Sequence, residues 1–154
     1  MITRWVLAFV HLLALPIGFA AIVARARALS AISRGADART AFAPDAWWGL
    51  AALLWIATGL TRYLAGTEKP FDYYNSSWLF MLKMALLTVI LLLEIWPIVT
   101  LMRWRLNIKR SGTTDTVAAA TLAKISIVQA VLVLLMVVAA TGMARAIGLM
   151  NGQE

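Results

Sequence analysis

The chain reads as an all-α polytopic membrane protein, a bundle of four transmembrane helices, on the strength of composition and apolar run length. Of its 154 residues, 62% are hydrophobic and 14% charged, well outside the usual balance of a soluble domain. The apolar residues gather into four stretches, at about residues 5–24, 46–65, 79–101 and 118–144. Each has about the 20 residues that a helix rising ~1.5 Å per residue needs to cross a ~30 Å hydrocarbon core. Backbone N–H and C=O groups in lipid must find partners inside their own segment, so each stretch is predicted to be helical. A single domain over residues 1–154 accommodates these helices and short connections, and little else.

The first stretch follows Arg4 and contains Pro16. It exceeds the usual ~7–15-residue core of a signal peptide and has no clear small-residue cleavage site, so it is expected to stay as a spanning helix. It should continue past residue 24 as a basic extension and break near Gly35. The second stretch opens with Pro44 and Asp45, the latter a plausible N-cap acceptor, and leaves through Gly66 and Thr67. Residues 68–75, with Pro70, Tyr73 and Tyr74, read as a structured loop. The third stretch begins after Trp78, and Pro97 should kink it by removing a backbone donor. Small residues in the fourth (Ala139, Ala140, Gly142), the second (Ala51, Ala52, Gly59) and the first (Ala14, Gly18) permit close helix approach. Trp5, Trp47, Trp48, Trp78 and Trp104 fall at the expected ends of the spans, where amphipathic rings favour the head-group layer.

Charge sets the expected orientation. The chain carries a net charge of +7, concentrated in two connections: Arg25, Arg27, Arg34 and Arg39 in the first, and Arg103, Arg105, Lys109 and Arg110 in the third. In a four-span protein these lie on one side, and basic short loops remain cytoplasmic. Both termini are therefore expected to face outward, with anionic lipids attracted to the basic loops. Nucleic acid is a poor partner, because the basic residues have no separate domain from which to act. The absence of cysteine excludes thiolate metal sites, disulfides and cysteine nucleophiles. A single histidine without a Ser–Asp partner set makes no hydrolytic triad, and the scattered glycines make no phosphate loop.

Ionisable residues inside spans are costly, which makes them the natural site candidates. His11 and Lys83 lie roughly 8–9 Å below the outer boundary by helical rise. Arg62 and Arg145 lie at the outer ends of the second and fourth helices. A cluster of this kind needs an anion to neutralise it: Glu68 or Asp72, a lipid phosphate, or the propionates of a porphyrin. Each also has a plainer role. Arg145 and Lys83 can snorkel to lipid phosphate, Arg62 can anchor its helix end, and His11 can hydrogen-bond a neighbouring helix. Met84 or Met143 is a possible axial thioether for a haem held by His11. On the other side Glu94, the one acid inside a span, and Lys124 enter at similar depth, and an ion pair between them is the simplest way to bury both.

The order of these polar residues resembles a small bacterial membrane protein family, domain of unknown function 2214. The resemblance lies in the run from Asp45 through Trp47, Trp48 and Thr58-Gly59 to Arg62, then Glu68-Lys69, Tyr73-Tyr74-Asn75, Trp78 to Lys83, Pro97, Trp104-Arg105 and Met143-Ala-Arg145. It covers nearly the whole chain and implies four helices in a bacterial inner membrane, without implying an activity. A fainter likeness is to the four-helix haem-binding membrane protoporphyrinogen oxidases. It implies haem b ligated by His11, with propionates held by Lys83 and Arg145, although a second histidine ligand is lacking here. Three functions follow as expectations. The leading one is a haem- or porphyrin-binding, redox-active membrane protein. The competing one is a non-enzymatic accessory or oligomerising subunit of a larger membrane complex. The third is a permeation unit formed by an oligomer.

Overall fold

The computed structural model describes residues 2–64 and 77–145. Among these residues are four α-helices: α1 (Ile2–Ile32), α2 (Phe42–Leu64), α3 (Trp78–Ser111) and α4 (Ala119–Ala144). Of these, α1, α3 and α4 are long and apolar enough to cross a membrane. The 23-residue α2 has the length, but Trp47, Trp48 and Trp55 and the charges of Asp45 and Arg62 at its ends dilute its apolar character. The loop expected over residues 68–75 and the helix exit at Gly66 and Thr67 lie outside the described residues.

The helices run antiparallel to their neighbours. His11 meets Thr58 and Gly18 meets Ala51, so α1 and α2 are opposed. Gly142 near the end of α4 approaches Leu79 at the start of α3, while Gln129 bonds Glu94 further along. Arg25, late in α1, reaches Ser126 and Gln129 early in α4. The ends of α1 and α4 that carry the chain termini therefore share one end of the bundle. Direct helix packing follows the order α2, α1, α4, α3. Side chains close the circle between α2 and α3: Arg105 bonds Phe42 and Asp45 at one end, and Tyr63 stacks on Phe80 at the other.

The packing seam can be traced in the sequence. Buried residues of α1 fall at Ala14, Gly18, Ala21, Ile22, Arg25, Ala26, Leu29 and Ile32, a stripe whose members recur at steps of three and four. In α3 the same steps join Ile90 to Pro97, Leu101 and Trp104 through Glu94. In α4 they join Ala119, Leu122, Ser126, Gln129, Val133 and Met136. This spacing keeps one stripe of each helix facing its neighbours in left-handed packing. Large residues such as Leu12, Leu53, Leu92 and Val138 stand exposed outside it, as lipid-facing positions do.

Two helices run further than their expected spans. Past residue 24, α1 continues to Ile32 and stops in a turn where Gly35 takes φ +102°, close to the expected break. Beyond residue 101, α3 continues to Ser111, with Lys109 and Arg110 in its last turn and Gly112 capping it at φ +78°. Cations there complement the helix dipole, and a left-handed cap suits glycine. These extensions, with Ala38, Ala41, Ala119 and Leu122, form a compact apolar cluster around Leu29, Ile32, Leu101 and Trp104. The helix runs on through Pro97, which is buried in the seam.

Asp45 does not cap α2. The helix begins three residues earlier at Phe42, running on from a 3-10 turn (Ala38–Ala41). Pro44 fits the first turn because its missing N–H would find no helical partner there. The capping carboxylate is Asp37, which accepts the Arg39 backbone N–H at 2.8 Å. That bond holds its carboxyl below the ordinary aspartate range, and Asp45 is left available for another role.

Candidate functional site

The largest polar assembly in the bundle centres on Arg25, whose side chain is wholly buried. Its Nη1 donates to Glu94 Oε1 at 2.6 Å and Asp45 Oδ1 at 3.0 Å. Its Nη2 donates to Glu94 Oε2 and Gln129 Oε1, both at 2.8 Å, and its Nε donates to Ser126 Oγ at 3.1 Å. The ring of Trp48 lies 5.9 Å from the guanidinium carbon. The fork of the guanidinium is thus used in full: bidentate on one carboxylate, with single bonds to three further residues. Around it a second tier completes the valences. Gln129 Nε2 donates to Glu94 Oε2 at 2.7 Å and to the Ile90 carbonyl at 3.2 Å. Arg105 Nη2 donates to Asp45 Oδ2 at 2.8 Å and to the Phe42 carbonyl at 3.0 Å.

Two arginines and two carboxylates make this cluster neutral overall. It joins α1 to all three other helices at one level. A charge buried in hydrocarbon is tolerated only with such saturation. Chemically the cluster is a closed lock: Glu94, the one carboxyl a permeation path would rely on, has both oxygens occupied. The expected pair between Glu94 and Lys124 is not formed. Glu94 lies on the buried seam of α3, whereas Lys124 lies between the seam positions Leu122 and Ser126 and is exposed. Glu94 stands level with Gln129, about a turn and a half along α4 from Lys124, so both depth and direction around α4 differ from the expectation.

Sequence reasoning places Arg25 and Arg105 in basic connections and Asp45 at a cap, and so misses the centre of the cluster. The signal is present in the spacing. Arg25 continues the Ala14, Gly18, Ala21 series by one more step of four, and Ser126 and Gln129 sit on the matching stripe of α4. A polar residue on such a stripe must meet polar partners.

Toward the other end of the bundle, His11 lies half-buried on α1 and packs against α2. Its Nδ1 is 2.9 Å from Thr58 Oγ1, and its ring centre is 5.7 Å from that of Trp55. Thr58 donates its own proton to backbone carbonyls, Leu54 O at 2.6 Å and Trp55 O at 3.2 Å. Its oxygen can then accept from Nδ1–H of His11, the tautomer of the neutral ring in which Nε2 carries the lone pair. Gly59 lets the ring approach, since a Cβ there would sit 3.3 Å from His11 Cε1. Packing is loose in this half: no residue is buried within 2–13 of α1 or 80–89 of α3.

Of the remaining candidates, Lys83 on α3 and Arg62 near the end of α2 are half-buried. Arg145 is exposed at the C-cap of α4, and Met84 is exposed on α3. His11, Lys83 and Arg62 thus share the half of the bundle that holds the stacked pair Tyr63 and Phe80, whose ring centres lie 5.5 Å apart. Among the described residues, no group of three His, Cys, Asp or Glu side chains gathers as a metal site.

Comparison with curated proteins finds no match, and none of the solved structures matches the chain either. Residues 3–148, spanning all four helices and both polar centres, match the model of one family, and the chain belongs to it: the family described as Predicted membrane protein (DUF2214).

Proposed function

We propose that this membrane protein crosses the bacterial inner membrane four times, with both termini outside, and binds haem b through His11 in the outer half of the bundle. The observation that carries the reading is the hydrogen bond between His11 Nδ1 and Thr58 Oγ1. Histidines that ligate metals commonly donate their second ring N–H to an oxygen, which fixes both tautomer and ring orientation. With Nδ1 committed in this way, Nε2 is the nitrogen that would meet an iron. The loosely packed helix ends, the aromatic side chains Trp55, Tyr63 and Phe80, and the cationic Lys83 and Arg62 suit a planar, dianionic ligand. Haem bound there would supply one-electron chemistry at its iron, at a potential set by the axial ligand and surroundings. Met84 and Arg145, at exposed positions, would serve only a haem that reaches the bundle surface.

The Arg25 lock favours a second reading. A bundle whose buried charges are mutually saturated also suits a non-enzymatic accessory subunit, packed beside a larger complex or a second copy of itself. Visible spectra of the protein purified in mild detergent, oxidised and dithionite-reduced, separate the two. A Soret band with reduced α and β bands is expected, and His11→Ala should abolish both while helicity by circular dichroism persists. A colourless protein after haem reconstitution would put the accessory reading first. Unchanged haem absorbance in His11→Ala would refute the ligand assignment.

A further inference from the structure

At the opposite end from His11, a cleft of about 520 Å³ opens between the end of α3 and the start of α4. Arg103 and Asp115 are the two charged residues that line it, beside Trp96, Trp104, Asn107 and Thr114. Among the described residues neither charge forms an ion pair, with the other or with anything else, although each has the opposite sign across the cleft. Asp115 Oδ1 accepts the Val117 backbone N–H at 2.9 Å, which orients the carboxylate. Trp96 is half exposed on the same wall.

A separated cation and anion, an amide and the exposed indole of Trp96 make a receptor for a small zwitterion. Both helices that form the cleft are long and apolar enough to span a membrane, which places it at a lipid interface. We propose that it binds one phospholipid with a primary-ammonium headgroup, the phosphoethanolamine type. The phosphodiester lies against Arg103 and Asn107. The ammonium donates to Asp115 and rests over an indole face. An anionic headgroup would satisfy Arg103 but set a second negative charge beside Asp115. A quaternary choline would meet the indole but lacks N–H groups for the carboxylate. The proposal rests on α3 and α4 standing in a bilayer and not on the His11 site.

Native mass spectrometry of the full chain in non-ionic detergent tests it. The probes are phosphatidylethanolamine, phosphatidylcholine and phosphatidylglycerol with identical acyl chains at equal concentration. Phosphatidylethanolamine adducts should be retained over both others. Asp115→Asn, which keeps an oxygen for the Val117 turn, should reduce that preference by up to about fivefold, the upper range for an exposed ion pair. Arg103→Gln should lower retention of all three. A phosphatidylethanolamine preference left undiminished by Asp115→Asn would put the lipid elsewhere on the protein and overturn the proposal. Equal retention of the three lipids, or phosphatidylglycerol retained first, would overturn the proposal and leave only general attraction to the basic loops.

Discussion

Arg25 decides more of this structure than any other side chain, and its partners are not equivalent. Asp45 has a second cation in Arg105, whereas Glu94 takes its only cationic bonds from Arg25. Removing the guanidinium therefore strands Glu94 first. Breaking a buried pair from one side typically costs about 3–5 kcal/mol, because it leaves an uncompensated charge. Arg25→Met should accordingly lower the melting temperature in detergent sharply. Arg25→Met with Glu94→Gln should recover much of the loss, since a neutral amide can still bond Gln129. Equal melting of the single and double variants would show that the carboxylate is not held as described. The sequence made Glu94 legible as a buried acid that needs a cation. The partner was not legible, because depth can be counted along a helix while direction around it depends on the seam. Lys124 is level with Glu94 only by counting from the expected span ends; in the bundle Gln129 stands at that level.

At the scale of the elements, the seams are what hold the helices together, and glycine sets their closest approach. A Cβ on Gly18 would lie 3.2 Å from Ala51 Cβ and 3.6 Å from the Trp48 ring. A side chain there must push α1 from α2 at the level between His11 and Arg25. Overpacking of this kind costs about 1–3 kcal/mol. Gly18→Leu should lower the melting temperature. Gly49→Ala, whose added methyl would meet nothing within 4 Å, should be neutral or raise it by helix propensity. If both variants melt like the wild type, α1 and α2 do not pack this closely. The small pair Ala14 and Gly18 was readable as a packing face, and the structure uses it. Helix ends were less readable. Apolar run length marks where lipid ends, but α1 and α3 continue into water because Leu29, Ile32, Leu101 and Trp104 cover one another there.

For the whole molecule, the antiparallel packing puts the first residues of α1 and the end of α2 at one end of the bundle, and the basic connections at the other. The positive charge around Arg27, Arg34, Lys109 and Arg110 makes that second end the one expected in the cytoplasm. The weak point is α2, whose tryptophans and charged ends leave it outside the three clearly apolar helices. Its companions supply what its composition lacks: His11 is bonded to Thr58 and Arg25 to Asp45, so α2 is held along its length against α1. We therefore expect α2 to cross the bilayer together with α1. The chain has no cysteine, so single introduced thiols report without background. Thr3→Cys and Leu64→Cys, exposed at one end, should react with a membrane-impermeant maleimide on intact spheroplasts. Ser33→Cys and Thr113→Cys, exposed at the other, should react only after permeabilisation. Labelling of Leu64→Cys together with Ser33→Cys would mean that α2 turns back without crossing. Labelling of Ser33→Cys and Thr113→Cys on intact cells, with the other two protected, would preserve the four spans and invert the bundle, placing His11 on the cytoplasmic side.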